Sequence, residues 1–526
     1  MRKIFLVSAI LLFGIGLIFA GGTRDNQSQV SGGAGTFGEK MEISLAMWDV
    51  QDGFNDSNAK NDTIYNELAS KFNITIRPVQ VTWNDWMEKF RLWAASNQLP
   101  DLFASDASSG EYRTWATQGV IKALPDDLSR FPNIQQVMSL PSVTPHRVNG
   151  KFYKFPRMTY LSDTDWVNDR NILYRKDWAR QAGWDRQPES FEEFMAMCKA
   201  VQAQHPGVAG LSINHKGYLQ ILQLGIFPEG SHGGNWVKDT DGLWKPCWAT
   251  DSFGRGVAQL HTLYEQGILD RDLALLKNNE GDMKFMSGQA FAVLSGHVYW
   301  IYEDAFKAAN PGITSEDAIG LINMWPSGDG KRYYFSETPY WSETMFQGRM
   351  TDEKMERALY MLDYMYSDEY QLRKSMGIEN VDYKVENGQY ISLLSPDTTL
   401  GKKYPITDKI GALSAWGQWL PLTGKQLKNP DPYVDYTDRL WLEHYNYIKA
   451  TAVPTPINYD IRLMSTPAKD KASQLNSEME NDMVQVIMGR RDALTAWREV
   501  IRSYGPRGLT DAINEVNARA KELGIQ

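Results

Sequence analysis

Tryptophan residues close to carboxylates recur at the ends of the predicted strands. The first group of such residues is Trp48, Asp49, Trp83 and Asp106. A tryptophan face packs against the C–H groups of a sugar ring, and a fixed carboxylate accepts hydrogen bonds from hydroxyl groups. These residue types in this arrangement therefore favour a polyhydroxylated ligand.

A second group of candidates lies further along the chain. It comprises His297, Tyr299 and Trp300 at the end of an apolar strand, Trp341 in a predicted loop at 337–346, and Trp416 in a glycine-flanked loop. The chain has 18 tryptophans, and 12% of its residues are aromatic. Because tryptophan is rarely fully buried, several of these rings are expected to line a surface or a cleft.

Ordinary structural roles remain open for the same residues. Each tryptophan could instead pack in a buried core, as aromatic side chains commonly do. Asp49 and Asp106 could instead cap a helix or a turn, which is a frequent role of loop aspartates. The sequence leaves both alternatives open.

The elements around the first group alternate between strand and helix. Strands are predicted at 43–48, 74–81 and 100–104, and the segments between them carry apolar residues at four-residue spacing. Such alternation predicts a parallel sheet, and ligands bind outside the carboxyl ends of its strands. The first group of candidates would lie at that edge.

The N-terminus predicts export. Residues 1–20 read as a secretory signal peptide, because the segment is basic at its start and apolar from residue 4 to 20. A membrane-spanning helix is the alternative, which the shortness of the run and its glycines disfavour. Residues 21–40 predict a flexible leader. Since no cysteine follows the apolar run, we expect no lipid anchor and a periplasmic location.

Charge and motifs exclude several functions. The net charge is −9 at pH 7 with no basic cluster, so nucleic acid and anionic membranes are disfavoured as partners. No phosphate-binding loop, metalloprotease motif or serine-nucleophile motif occurs in the sequence. We therefore expect no catalytic residue, no cofactor and no metal ligand.

Two short features each have two interpretations. Cys198 and Cys247 are the only cysteines; buried thiols are favoured over a disulfide between them, which stays open. The segment 239–242 carries two aspartates but lacks the remaining ligands of a calcium loop, so it predicts a turn rather than a metal site.

Six short motifs occur in an order that is known from one protein family. They are Ile43–Asp49, Asn97–Leu102, Gln118–Leu124, Asn149–Tyr153, Tyr174–Trp178 and Ser287–Ala290. In these motifs the chain resembles the extracellular solute-binding proteins of bacterial ABC sugar importers, of the family 1 type, over nearly its whole mature length. Residues 487–497 are similar to the closing motif of the large carbohydrate-binding branch.

The resemblance implies an α/β fold of two lobes, the type II periplasmic-binding-protein fold, with the ligand cleft between lobes joined by hinge strands. A mature chain of about 500 residues is itself too long for one hydrophobic core. Lobe 1 would comprise 41–160 and 321–370, and lobe 2 would comprise 161–320 and 371–526. By position, the loops of Trp48, Asp49, Asp106 and 297–300 match ligand-contact regions of the family.

The resemblance also implies a function without chemistry. Hinge closure would capture a carbohydrate, with an oligosaccharide expected, and the loaded protein would present it to the permease subunits of an ABC importer. A monomer is expected, with no nucleic-acid partner.

Two other functions remain as alternatives. An exported glycoside hydrolase would need an aromatic cleft and paired carboxylates. The nearest pairs in sequence are Asp163 with Asp165 and Glu192 with Glu193. Adjacent glutamates at a helix start serve the helix dipole, and the first pair falls in a predicted hinge. A receptor for a non-sugar solute such as a peptide would keep the fold and change only the ligand.

Overall fold

The structure is a computed structural model. It describes residues 37–525 except 108, 169, 214–215, 229–234, 278, 296–302, 396, 415–424, 426 and 430–431. The predicted signal peptide and nearly all of the leader lie outside the described residues. The elements below belong to one unit that begins at Gly38. Within the described part, no helix combines the length and apolar character needed to cross a bilayer.

The first three strands lie close to their predicted positions: the first has the predicted length but begins two residues earlier, and the second and third are shorter than predicted. In chain order the strands are β1 Met41–Ala46, β2 Ile74–Pro78, β3 Leu102–Ser105, β4 Lys154–Met158, β5 Asn171–Arg175, β6 Ala209–Ile213, β7 Trp236–Lys238, β8 Trp244–Pro246, β9 Ala290–Ser295, β10 Ile319–Leu321, β11 Tyr333–Tyr334, β12 Tyr340–Phe346, β13 Tyr383–Glu386, β14 Gln389–Ser392, β15 Leu427–Lys428 and β16 Val453–Pro454.

The α-helices lie between these strands and dominate the C-terminal part. They are α1 Asp56–Asn61, α2 Thr63–Lys71, α3 Trp86–Ser96, α4 Ser109–Thr117, α5 Pro132–Met138, α6 Lys176–Gln181, α7 Phe191–Gln204, α8 Asp251–Glu265, α9 Glu280–Met286, α10 Glu303–Ala309, α11 Ser315–Ala318, α12 Asp352–Met365, α13 Asp368–Met376, α14 Leu400–Lys403, α15 Pro405–Gly411, α16 Pro432–Thr451, α17 Tyr459–Arg462, α18 Pro467–Ala472, α19 Leu475–Met488, α20 Ala493–Tyr504 and α21 Leu509–Glu522.

The first sheet has the strand order β2-β1-β3-β12-β4. Strands β1, β2 and β3 are parallel, as the strand–helix alternation predicts. Strand β12 comes from much later in the chain and lies antiparallel between β3 and β4. The carboxyl ends of β1, β3 and β4 and the amino end of β12 therefore meet at one edge. All four residues of β3 are buried, which is typical of a strand covered on both faces.

The second sheet has the order β10-β5-β9-β6. Strand β9 runs parallel to β6 and antiparallel to β5, and all six of its residues are buried. Its main core includes Phe194 on α7, Trp248, and Trp497 on α20. Helix α20 buries Trp497 and Tyr504 on the face that it packs against this core. Together the two sheets and their helices confirm the predicted α/β class.

The last part of the chain divides between the two sheets. Helix α15 lies against residues 50–53, which follow β1 of the first sheet. On this helix, Thr407 donates hydrogen bonds from its amide (2.8 Å) and its hydroxyl (2.7 Å) to the buried carboxylate of Asp62. Helix α16 instead packs on the second sheet, where the Tyr436 hydroxyl donates to the Ile319 carbonyl at 2.8 Å. Helix α15 therefore packs with elements of the first sheet, whereas the sequence assigns all residues after 370 to lobe 2. The lobe boundaries stay predictions.

The two ambiguous sequence features have clear structural roles. Cys198 and Cys247 are both free and buried, so the disulfide alternative is wrong. Burial raises the pKa of the Cys247 thiol to about 12. Asp239 and Asp241 lie in the turn between β7 and β8, where both carboxylates contact the Lys245 ammonium, at 2.8 and 2.6 Å. In this turn a lysine thus satisfies the carboxylates.

Candidate functional site

Four tryptophans meet at the edge of the first sheet where β1, β3 and β4 end. They are Trp48, Trp83, Trp86 and Trp341, called here the four-tryptophan cluster. The ring centroid of Trp48 lies 5.3 Å from that of Trp83, 4.9 Å from Trp86 and 5.2 Å from Trp341. Trp48 and Trp86 are buried, Trp341 is half-buried, and Trp83 is 45% exposed. The cluster therefore has a buried base and an accessible face.

Local backbone geometry sets the positions of the first three rings. Asp49 has a left-handed conformation (φ 57°), and its amide donates to the Val81 carbonyl at 2.9 Å. This turn ties the residue after Trp48 to the chain just before Trp83. Asp85 accepts from the Thr82 amide at 2.7 Å, which fixes the turn that carries Trp83 into α3.

Trp341 reaches the cluster through a β-bulge. The pairing of β12 with β4 shifts between Tyr340 and Glu343, and Ser342 within this bulge has φ 58°. A bulge re-aims the side chains of its strand. The prediction that Trp341 lies in a loop is wrong, because this segment pairs with β4 and begins a strand. The bulge lies at the same edge as Asp106, since Glu343 pairs with Ser105.

A buried cation supports the base of the cluster. The guanidinium carbon of Arg157 lies 4.5 Å from the ring centroid of Trp48, and the residue is 0% exposed. Its Nε donates to the Ala412 carbonyl at 2.7 Å, and its Nη1 donates to the Ser342 hydroxyl. Burial lowers the pKa of Arg157 to about 9, so it is protonated at neutral pH. This cation–π contact orients Trp48 from beneath.

Asp106 lies beside the accessible face of the cluster. Its carboxylate accepts a hydrogen bond from the side chain of Trp341. Loss of surrounding water, and then the negative charge of Glu343, raise the pKa of this carboxyl to about 6. Asp106 is nevertheless accessible to solvent. A side chain that solvent reaches while protein atoms surround it lies in a concave part of the surface.

A buried ion pair lies under this concave region. Lys154 Nζ and Glu343 Oε1 are 2.8 Å apart, and the two side chains are 5% and 9% exposed. The Lys154 ammonium also lies 4.6 Å from the ring centroid of Tyr112. These groups are bound to each other below the rings rather than presented to a ligand.

The structure brings most of the first group of candidates together. Trp48, Trp83 and Trp341 form mutual ring contacts, and Asp106 contacts Trp341. Asp49 follows Trp48 at this edge and is half-buried, and its side chain forms no capping hydrogen bond with the 3-10 helix that follows. Direct ligand contact stays a prediction for all of them.

The remaining candidates cannot be placed at the site. Strand β9 ends at Ser295 on the second sheet, and the chain that follows it, with His297, Tyr299 and Trp300, lies outside the described residues. Trp416 also lies outside them. Their ligand contacts stay predictions.

Sequence reasoning missed four residues of the site. Trp86 begins α3, and its ring contact with Trp48 depends on the folded chain rather than on the local pattern. Arg157, Lys154 and Glu343 lie on β4 and β12, which pair only in the folded chain. Their basic and acidic side chains within short apolar strands are the signal that could have found them, because charges there are costly unless paired.

Helix α4 begins three residues after Asp106 and contacts α18, which packs on the helices of the second sheet. At this contact a Cβ atom on Gly110 would lie 3.1 Å from the Cβ of Asp470. A side chain at position 110 would therefore make a tight contact between the two helices. This contact between α4 and α18 joins elements packed on the first sheet to elements packed on the second sheet, next to the candidate site.

The site lacks the grouped ligands of a metal centre. Across the described residues, no three His, Cys, Asp or Glu side chains are grouped so that they could hold a metal ion. What the arrangement offers is ring faces and a carboxylate acceptor in a concave surface, which suits noncovalent binding of a ligand with apolar faces and hydroxyl groups.

The sequence matches one protein family. Residues 63–380 match the family model described as bacterial extracellular solute-binding protein. This range includes Trp83, Asp106 and Trp341 of the candidate site. No curated protein matches the sequence.

Several solved structures share the fold at low sequence identity. The alginate-binding protein AlgQ2, solved without calcium ion, has a TM-score of 0.65 at 17% identity, over 91% of this chain and 98% of that one. The substrate-binding protein FusA of an S. pneumoniae ABC transporter, solved with kestose, has a TM-score of 0.66 at 15% identity, over 92% and 99%. The N-glycan transport protein NgtS from Streptococcus pneumoniae has a TM-score of 0.61 at 16% identity, over 92% and 99%. These likenesses confirm the predicted two-lobe solute-binding fold.

Proposed function

We propose that this chain, which belongs to the family of bacterial extracellular solute-binding proteins, captures an oligosaccharide outside the cytoplasm. The protein would then deliver the sugar to an ABC importer. The observation that carries the proposal is the four-tryptophan cluster with the Asp106 carboxylate beside it. Ring faces and a fixed acceptor in one concave surface match the C–H faces and hydroxyl groups of a sugar.

Proteins of the same fold support a carbohydrate ligand. By their names and complexes, AlgQ2 binds alginate, FusA was solved with kestose, and NgtS is a solute-binding protein of N-glycan transport. A peptide or another solute would also fit the fold. The aromatic edge of the first sheet favours a sugar over these, because a peptide receptor would need main-chain hydrogen-bonding partners along its cleft.

Capture would occur by hinge closure of two lobes around the ligand. The first sheet would carry the four-tryptophan cluster, and the second sheet would present the loop after β9, with His297, Tyr299 and Trp300. The permease would distinguish the closed, loaded form from the open one. A ligand that binds the closed form a few kcal/mol more tightly moves most of the population to it.

The cellular setting follows from the same proposal. An N-terminal signal peptide would export the protein, and the mature chain would act as a periplasmic monomer without a lipid anchor. Its partners would be the membrane permease subunits of the importer. Lobe 1 would comprise 41–160 with β12 and α15, and lobe 2 would comprise 161–320 with the chain from α16 onward.

We propose that the protein binds its sugar without hydrolysing it, because the carboxylate pairs suggested by the sequence lie outside the four-tryptophan cluster. Asp163 accepts from the Tyr459 hydroxyl at 3.1 Å and Asp165 from the Tyr445 hydroxyl at 2.8 Å, both outside the cluster. Glu193 in the first turn of α7 is held by Arg186 at 2.6 Å.

Asp106 has the raised pKa that a general acid of a glycoside hydrolase needs. The carboxylate that raises its pKa most, Glu343, is buried and bound to Lys154. A hydrolase needs its second carboxylate on the substrate. The pair therefore suits a binding site better than a hydrolytic one.

The test measures binding and product together. The mature protein would be titrated with mono- and oligosaccharides while its thermal unfolding and tryptophan fluorescence are followed, because ring contacts make the fluorescence sensitive to the ligand. Saturation at about 100 times the dissociation constant stabilises a protein by about 2.7 kcal/mol. The sugar would then be recovered and its chain length determined.

The outcomes separate the candidate functions. Stabilisation with intact sugar supports the transport receptor, and shortened sugar supports the hydrolase. No response to any sugar, with a response to peptides, would contradict a carbohydrate ligand and leave the fold unchanged.

A further inference from the structure

Charged groups around the four-tryptophan cluster are divided between the cleft surface and the layer beneath it. Arg157, Lys154 and Glu343 are buried. Asp106 is accessible to solvent beside Trp341. A ligand on the rings would therefore meet the carboxylate of Asp106, and half-buried Asp49 after Trp48 carries the same charge.

Both buried cations are already engaged. Lys154 contacts Glu343 at 2.8 Å. Arg157 lies under the Trp48 ring and donates to Ala412 and Ser342. Neither side chain can turn toward the cleft without breaking buried hydrogen bonds, which is costly.

The charges that act on Asp106 have a net negative sign. Glu343 and, to a smaller extent, Glu111 raise the pKa of its carboxyl, while Lys154 lowers it. Glu111 on α4 is itself paired with Arg91 at 2.5 Å. A second anion brought to this place would meet repulsion that the nearby cations do not offset.

We propose that Asp106 makes this site selective for neutral oligosaccharides and against sugars that carry a carboxylate. The inference rests on the proposed function. A hydroxymethyl group beside Trp341 can donate a hydrogen bond to Asp106. A carboxylate in the same position would lie a few ångströms from a like charge. At such a partly exposed site the repulsion weakens binding by about tenfold or more.

The proposal has a distinctive dependence on pH. The Asp106 carboxyl, with a pKa of about 6, becomes protonated between pH 7.5 and 5, whereas an exposed carboxyl on a sugar stays ionised until about pH 4. Affinity for a neutral sugar therefore falls on acidification, because a charge-assisted hydrogen bond is lost. Affinity for the acidic sugar rises over the same range, because the repulsion is removed.

The experiment compares a matched pair of ligands. The neutral oligosaccharide that binds best is compared with the same molecule after oxidation of its C6 hydroxymethyl groups to carboxylates, by calorimetric titration at pH 7.5 and pH 5. Asp106→Asn keeps the size of the side chain and removes its charge. Asp185→Asn, at an exposed position on the second sheet's side, makes the same change in net charge and is the control.

For the wild-type protein and for Asp185→Asn we expect the neutral sugar to bind at least about tenfold tighter at pH 7.5, with a smaller ratio at pH 5. In Asp106→Asn the ratio should fall severalfold, and its change with pH should vanish. Thermal unfolding of the unliganded variants would verify that each is folded, and the pH profile of the wild-type protein tests the proposal without any variant.

Equal or tighter binding of the oxidised sugar by the wild-type protein would overturn this inference and leave the proposed function standing. A preference for the neutral sugar that Asp106→Asn retains would also overturn it, because another group would then set the selectivity. Absence of binding to neutral and acidic sugars alike would overturn the proposed function, and this inference with it.

Discussion

Trp83 is the member of the four-tryptophan cluster that a ligand can reach most easily. Its side chain is 45% exposed, and its ring packs against Trp48 and Trp341 with centroids 5.3 and 5.5 Å away. An exposed ring on a rigid aromatic base contributes contact area with little loss of side-chain freedom on binding. Its removal should therefore affect binding more than folding.

We expect Trp83→Ala to weaken sugar binding by about 1–3 kcal/mol, roughly fivefold to 150-fold, because a central aromatic contact is lost. Its midpoint of thermal unfolding should change little. Calorimetric titration of the variant measures the first effect. Trp184→Ala, which removes a half-buried tryptophan on the second sheet's side, should leave affinity unchanged. Unchanged affinity in Trp83→Ala would remove this ring from the binding site.

The Lys154–Glu343 pair makes a second prediction at the scale of residues. Because both side chains are buried, replacing one leaves an unpaired charge in the protein interior. We expect Lys154→Met to destabilise the protein by about 3–5 kcal/mol. The double variant Lys154→Met, Glu343→Leu should be less destabilised than the single one, since no charge is left unpaired. Thermal unfolding of the unliganded proteins measures both.

An exposed ion pair provides the control for that comparison. Arg498 and Asp251 lie 2.6 Å apart with side chains 47% and 57% exposed. Arg498→Met should cost less than about 1 kcal/mol, because water replaces the lost partner. If Lys154→Met were no more destabilising than Arg498→Met, the pair at the site would not behave as a buried one.

Among the elements, β12 has the largest effect on the site. It lies between β3 and β4, and its bulge carries Trp341 to the cluster and Ser342 to Arg157. One strand thus connects the accessible ring to the buried support. The left-handed conformation of Ser342 is unfavourable for a residue with a Cβ atom and persists because the flanking pairs hold it.

The contact between α4 and α18 allows a test at the scale of elements. At Gly110 an added Cβ would lie 3.1 Å from the Asp470 Cβ, so the neighbouring atoms must move apart slightly. We expect Gly110→Ala to weaken ligand binding severalfold while the protein stays folded, because the contact between the two sheets' sides is loosened. Calorimetric titration and thermal unfolding measure the two effects.

Gly328→Ala is the matched control, because nothing lies within 4 Å of a Cβ at that position and its backbone is not left-handed. It should bind like the wild-type protein. A Gly110→Ala variant with the wild-type affinity would show that the α4–α18 contact does not contribute to the bound state.

At the scale of the whole molecule, the two sheets share several linking segments. Buried Glu337, just before β12, pairs with Arg462 of α17, and the Ser336 hydroxyl donates to the Asp163 carbonyl at 2.8 Å. These contacts join three separate parts of the chain between the two sheets: the segment before β12, helix α17 and the segment around Asp163. We expect such multiple linkers to restrict the proposed relative motion of the lobes to a hinge.

Hinge closure predicts a change of size on binding. We expect the radius of gyration in solution, measured by small-angle X-ray scattering, to decrease when saturating sugar is added. The comparison uses a sugar that gives no thermal stabilisation as its control. A radius that stays the same with bound ligand would contradict closure as the signal to the permease.

The sequence by itself determined the α/β class, the family and the edge at which the first group of candidates meets. These features depend on local patterns: apolar strands at 43–48 and 74–81 alternate with helices, Trp48 ends the first strand, and Trp83 lies in the polar turn after the second. Parallel strands then bring those turns together, whatever the details of packing. The family follows from short motifs in a fixed order.

Only the tertiary structure decided how the site is built. Trp341, Ser342 and Glu343 reach it because β12 inserts between β3 and β4. No local pattern encodes that pairing, so the sequence predicted a loop there. Arg157 beneath Trp48 and the Lys154–Glu343 pair likewise depend on contacts between distant segments. The same holds for α15, whose side of the molecule is set by the buried hydrogen bonds between Thr407 and Asp62. These features result from packing between residues that are distant in sequence, and local sequence patterns do not predict such contacts.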